Sequence, residues 1–121
     1  MNGNVLISIY IKAVDNLMGT DDIDNMYVMS ADMSRVFFNA DDFRDEIHDL
    51  LSDAEIMSEL QYTEKKRQRN IEREVLQSYK TLGLIICDKG KFTTTQRVAG
   101  KVRRVVVVDY KKFELLKSLN W

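Results

Sequence analysis

The sequence predicts an α+β fold with a mostly helical body and a β-hairpin in its second half. Three observations carry this reading. Phe43, Ile47, Leu50 and Leu51 recur at helical spacing, as do Ile71, Val75, Tyr79 and Leu82. Residues 102–108 form an apolar run dominated by valine, next to Gly100, which suits a strand and a tight turn. No proline occurs among the 121 residues, so nothing forces a break in a helix or removes a backbone donor from a strand. The length suits a single core.

Taken in order, residues 4–18 are apolar on nearly every side, with Gly19 placed to end a helix. So little polar face predicts packing against a second subunit. A buried strand over residues 5–11 is the competing reading, because β-branched residues are frequent there. Residues 21–25 read as an acidic loop. Residues 26–30 and 35–38 read as two short strands around a turn at 31–34.

Asn39 is suited to cap the next helix, whose first turn carries Asp41 and Asp42. Ser52, Asp53, Ala54 and Glu55 fit a capping box that would start a short helix burying Ile56, Met57 and Leu60. Thr63 is the next candidate cap, for a long helix over residues 64–82 ending at Gly83. Residues 84–87 and 102–108 read as the arms of a hairpin. Asp109 caps a last helix presenting Phe113, Leu116 and Leu119.

The net charge of −1 hides a strong partition. Residues 1–60 hold 13 acids against 3 bases, a balance of −10, whereas residues 61–121 hold 15 bases against 6 acids, a balance of +9. Such sorting fits a face meant for a polyanion. Two solvated faces, or faces attracting each other across a dimer, would also produce it.

A helical wheel locates the basic face. At about 100° per residue, Lys66, Asn70, Arg73 and Gln77 stand opposite the apolar stripe of the long helix, with Arg69 and Lys80 beside them. Arginine matches guanine O6 and N7, asparagine and glutamine match adenine N6 and N7, and lysine holds phosphate or guanine. Glu72 and Glu74 fall on the flanks, so this row does not alternate in sign as a solvated face usually does. The hairpin contributes Lys89, Lys91, Arg97, Lys101, Arg103 and Arg104, with Thr93, Thr94, Thr95 and Gln96 among them. A basic hairpin can lie along phosphates or enter a narrow minor groove. It can equally be an edge kept soluble by its charges.

Glu55, Ile56, Met57, Ser58, Glu59 and Leu60, a turn, then Ile71, Val75, Leu76 and Tyr79 ahead of Leu82, Gly83, Leu84, Ile85 and a hairpin resemble the winged helix-turn-helix superfamily. The likeness covers roughly residues 39–110 and is similar to small phage, plasmid or bacterial regulators. It implies a winged helix-turn-helix over 39–121 with a C-terminal helix. Residues 1–38 would then be an extra N-terminal helix and short strands serving dimerisation or extending the core. Two departures stand out: Gln61 replaces the usual turn glycine, and the stretch between Leu60 and Ile71 is about five residues longer than the compact motif.

The expected function is sequence-specific binding of double-stranded DNA by a small transcriptional regulator acting as a homodimer. The long helix would enter the major groove, and the hairpin over 84–109 would rest on the backbone or minor groove. The expected contacts are Lys66, Arg69, Asn70, Arg73, Gln77 and Lys80 on the helix, and Thr63, Lys65, Lys89, Lys91, Arg97, Lys101, Arg103 and Arg104 on turn and wing. A replication, partition or relaxosome accessory role is the first alternative. A protein-interaction module using the acidic half is the second.

Catalysis has little support: His48 is the only histidine, Cys87 the only cysteine, and neither belongs to a nucleophile pattern. No cofactor is expected. Two potential soft ligands are too few for a structural zinc site. Asp21, Asp22 and Asp24 lack the glycine and terminal glutamate of a calcium loop. Asp41, Asp42, Asp45, Glu46 and Asp49 read as a solvated helix face rather than a magnesium site. A lone cysteine excludes an intrachain disulfide and suggests a reducing, cytoplasmic setting. Residues 5–11 lack the basic lead-in and cleavage site of a secretory signal and fall far short of a membrane span.

Overall fold

The computed structural model describes residues 3–19, 27–53, 65–88, 90–98 and 100–119, with only the backbone of 53 and 65–70. The elements run α1 (Gly3–Gly19), β1 (Tyr27–Met29), β2 (Arg35–Asn39), α2 (Ala40–Asp53), α3 (Lys65–Thr81), β3 (Thr94–Val98), β4 (Lys101–Asp109) and α4 (Tyr110–Ser118). The four strands form one antiparallel sheet in the order β1-β2-β4-β3. This connectivity is α+β, as expected, and is compatible with a winged helix. None of the described helices is long and apolar enough to cross a membrane.

The ambiguous N-terminal segment is helical. Leu6, Ile9, Tyr10, Ile11, Ala13, Val14 and Leu17 of α1 are all buried, and they join the core formed with Val36, Phe38, Phe43, Ile47, Val75, Tyr79, Val106 and Phe113. Residues on both sides of the 38/39 boundary therefore share one core. The apolar side of α1 is satisfied within the chain, which corrects the expectation that this helix needs a second subunit to cover it.

The hairpin predicted at 26–38 forms, with Tyr27 opposite Phe38 and Met29 opposite Val36. Its turn is organised by Asp32, whose carboxylate accepts from the Ser34 hydroxyl (2.7 Å), the Ser30 hydroxyl (2.7 Å) and the Ser34 amide (3.1 Å). Those bonds, the Ser34 hydroxyl first, hold the Asp32 carboxyl well below the usual carboxylate range. Asn39 caps α2 as expected, its Oδ1 accepting from the amides of Asp41 (3.0 Å) and Asp42 (3.3 Å). Ser52 does not open a new helix. It lies in the last turn of α2, because the stripe of Phe43, Ile47 and Leu51 stays buried to that point. The remainder of the expected 52–60 helix, the 21–25 loop and Thr63 lie outside the described residues.

Helix α3 follows its predicted span, but its buried side differs. Val75, Leu76 and Tyr79 enter the core, Ile71 sits at its margin, and Leu82 is 51% exposed. The buried stripe is thus turned by about 50° from the expected one. Only the loss of Leu82 has a local explanation, at the helix end. Gly83 adopts φ 73°, its amide donates to the Lys80 carbonyl (3.0 Å), and the Leu84 amide donates to the Tyr79 carbonyl (2.8 Å). This left-handed stop puts Leu84 rather than Leu82 into the core.

Two buried tyrosines tie this end to α1. The Tyr79 hydroxyl donates to the Leu6 carbonyl (2.7 Å), and the Tyr10 hydroxyl donates to the Leu84 carbonyl (3.0 Å). Their ring centroids are 5.3 Å apart. On the other side of the core, Asp109 accepts from the Lys112 amide (3.1 Å) and caps α4. Phe113 is buried, whereas Leu119 is exposed past the end of α4, contrary to expectation.

The wing differs in one respect from the sequence reading. Residues 84–87 contribute only an isolated bridge, Ile85 opposite Val108. The outer strand of the hairpin is instead β3, within the stretch read as polar. Val98 pairs with Lys101 at the end of the hairpin, and Gly100 takes φ 81°.

Candidate nucleic-acid interface

A cleft of about 900 Å³ opens between α3 and the β3–β4 hairpin with the stretch leading into it. Arg73, Gln77, Glu72 and Leu76 line it from α3, Arg44 from α2, and Arg104 from β4. Asp88, Gly90, Lys91, Phe92, Thr93, Thr94 and Thr95 line it from the connection into β3. The two basic elements anticipated separately, helix and hairpin, thus face one space.

Strand alternation decides which wing residues share that side. Pairing places Thr95 opposite Arg104 and Arg97 opposite Val102. These lie on the sheet face that continues through Val106 and Val108 into the main core. Gln96 opposite Arg103, and Val98 opposite Lys101, lie on the other face. There Val98, Val105 and Val107 form a second small apolar cluster with Phe37 and Ile86. The hairpin bases expected to act as one cluster are therefore divided: Arg97 and Arg104 on the cleft side, Lys101 and Arg103 behind. Arg103 is half-buried, and its Nε has no hydrogen-bond partner.

On α3, Arg73 and Gln77 are exposed. The Gln77 side-chain amide donates to Thr81 Oγ1 (3.2 Å), a surface bond that a base edge can replace at little cost. Lys65, Lys66, Arg69 and Asn70 belong to α3, but their side chains lie outside the described residues, as does Lys89. Lys80 departs from the expected role. Its ammonium donates to the carbonyls of Asp88 (2.5 Å) and Lys91 (2.9 Å) and lies 5.9 Å from the Phe92 ring centroid. It is committed to the chain itself rather than offered to solvent.

Arg44 is the residue that sequence reasoning missed. It stands among acids in the negatively charged half, and only the packing of α2 beside α3 brings it to the cleft. Its sole signal in the sequence is that it is the one arginine or lysine of α2. Within the same wall, Glu72 Oε1 lies 2.5 Å from His48 Nδ1, a contact that links α2 to α3. The only other ion pair among the described residues joins Lys117 to Asp15, well away from the cleft elements. Arg44, Arg73, Lys91 and Arg104 thus have no acidic partner among the described residues.

Such an arrangement can neutralise a strand of phosphates while presenting planar donors to base edges. Among the described residues, Cys87 Sγ donates to the Lys91 carbonyl (2.8 Å), and His48 is engaged with Glu72. Compared with known proteins, the sequence matches no protein-family model and no curated protein, so the reading of the site rests on its own geometry.

Proposed function

We propose that this chain is a winged helix-turn-helix protein that binds double-stranded DNA and serves as a small transcriptional regulator. In this reading residues 55–60, which lie outside the described residues, and α3 are the helix-turn-helix pair, α3 enters the major groove, and β3 and β4 form the wing. The observation that carries the proposal is the convergence of Arg44, Arg73, Lys91 and Arg104, from α2, α3, the connecting turn and β4, around one cleft that also holds Glu72 and Asp88, with none of the four paired to an acid among the described residues. A solvated surface gains nothing from concentrating like charge, whereas a polyanion repays it through counterion release.

Within the site, Arg73 and Gln77 are the base-reading residues, and Arg44, Lys91 and Arg104 are phosphate contacts. A single recognition helix reads few base pairs, so the reading includes a homodimer on two half-sites about 34–36 Å apart. The dimer contact lies elsewhere than the apolar side of α1, which is occupied by the core.

Binding sites selected from a random duplex pool, followed by titration of two variants, test the proposal. Arg73→Ala should weaken the selected site and relax preference at one position by about 1–3 kcal/mol. Lys91→Ala should weaken selected and unrelated duplexes about equally. Absence of binding to any duplex at low salt would refute the reading and favour a protein-interaction role for the acidic surface.

A further inference from the structure

We infer that Lys80 is a positioning residue that fastens Asp88 and Lys91 to α3 and so sets the wall of the cleft, and that it makes no contact with DNA. For its effect on affinity the inference rests on the DNA-binding reading; for its effect on the turn it stands alone.

An ammonium has three donors and no acceptor. Two of those donors are used on the Asp88 and Lys91 carbonyls, and the stem leads the charge toward the Phe92 ring. The same turn is closed by the Lys91 amide donating to the Asp88 carbonyl (3.0 Å), with Gly90 at φ 79°. Cys87 Sγ adds a second donor to the Lys91 carbonyl. The turn is exposed at Asp88, Gly90 and Lys91, and the nearest residue after it that packs against the core is Phe92.

Consequences for the cleft follow from where these residues lie. Lys91, Phe92 and Thr93 directly continue the clamped turn and form one wall, opposite Arg73. Charge-assisted bonds to carbonyls are stronger than neutral ones, and here they join an element that reads bases to one that holds phosphate. A lysine that a helical wheel assigns to the ligand-facing row instead points along the protein surface at its own chain.

The experiment uses the full chain, with Lys80→Met and Lys80→Arg beside wild type and Lys91→Ala. Amide hydrogen exchange of residues 88–93 and duplex affinity as a function of salt are both measured. Methionine keeps the apolar stem, and arginine keeps the charge but not the compact ammonium that fits between two carbonyls. Both Lys80 variants should exchange about tenfold faster in 88–93. Both should also bind duplex several-fold more weakly. Their salt slope should match wild type, whereas Lys91→Ala should lose about one unit of slope.

Unchanged exchange in both variants would overturn the clamp. Faster exchange with wild-type affinity would overturn its role in positioning. A slope reduced by about one unit in Lys80→Met and restored in Lys80→Arg would make Lys80 a direct phosphate contact instead. If wild type bound no duplex, the DNA-binding reading would fail while the exchange data still decided whether the clamp exists.

Discussion

Replacing Tyr79 by phenylalanine removes one hydroxyl from the centre of the core, and its cost should reverse sign with pH. Tyr10 and Tyr79 are fully buried, and each hydroxyl donates to a carbonyl on the other's side of the core. Neither acceptor is left bare by the substitution, because the Leu84 carbonyl also accepts from the Asp109 amide (3.1 Å) and Leu6 lies within α1. The expected loss at pH 7 is therefore that of an ordinary hydrogen bond, about 1 kcal/mol for either Tyr10→Phe or Tyr79→Phe.

Burial raises both phenol pKa values well above the usual 10.0, with the Asp109 charge adding to the effect at Tyr10. Since the folded value is the higher one, the tyrosine's contribution is intact below pH 10. It declines above that point, as the unfolded chain ionises and the folded chain does not. At pH 11 the unfolded phenol gains about 1.4 kcal/mol by ionising, and phenylalanine escapes this term. The cost of about 1 kcal/mol at pH 7 should thus vanish between about pH 10 and 11 and become a gain of about 0.4 kcal/mol at pH 11. Urea unfolding of wild type and both variants, followed by circular dichroism from pH 7 to 11, measures the crossing. A cost that stays constant over this range would refute the reasoning, since it would mean that the hydroxyls are not shielded in the folded state.

Three further substitutions test the frame that holds the cleft. Gly83→Ala places a side chain at φ 73° at the end of α3 and should lower stability by about 1 kcal/mol in thermal or urea unfolding. Asn39→Ala removes the acceptor of two α2 amides and should cost about 1 kcal/mol, with Asn39→Asp largely restoring it. Phe43→Ala empties a fully buried position stacked on Phe38 and should cost about 3–5 kcal/mol, visible as a large fall in the urea midpoint.

Much of the local structure was legible because local chemistry fixes it. Asn39 and Asp109 are strong caps at the starts of α2 and α4, and Gly83 is a strong stop, whereas 26–38 is an ambiguous stretch for which two short strands are one reading. The nature of α1 was not legible, because a segment apolar on every side fits a buried strand as well as a buried helix. β3 was missed because four of its five residues are exposed, leaving no apolar alternation to find. The site was legible only in part. Arg73 and Gln77 follow from periodicity along one helix, and their position at the cleft agrees with that reasoning. Arg44 depends on how α2 packs, and Lys80 depends on a turn that returns to it from eight residues away. No wheel drawn on one helix contains either fact.

On the proposed reading, Arg44, Arg73, Lys91 and Arg104 from separate segments form one surface for duplex DNA. The most direct test of that reading is fluorescence anisotropy of a labelled duplex between 50 and 200 mM salt, roughly the range over which counterion release is steep. Wild type is compared with a variant in which Arg44, Arg73, Lys91 and Arg104 are all alanine. If Arg44, Lys91 and Arg104 each neutralise one phosphate while Arg73 reads a base, the three should account for about 2.7 units of the slope of log affinity against log salt. The variant should lose most of that slope and bind far more weakly at the low-salt end. Wild-type affinity independent of salt, or a quadruple variant with an unchanged slope, would contradict the account.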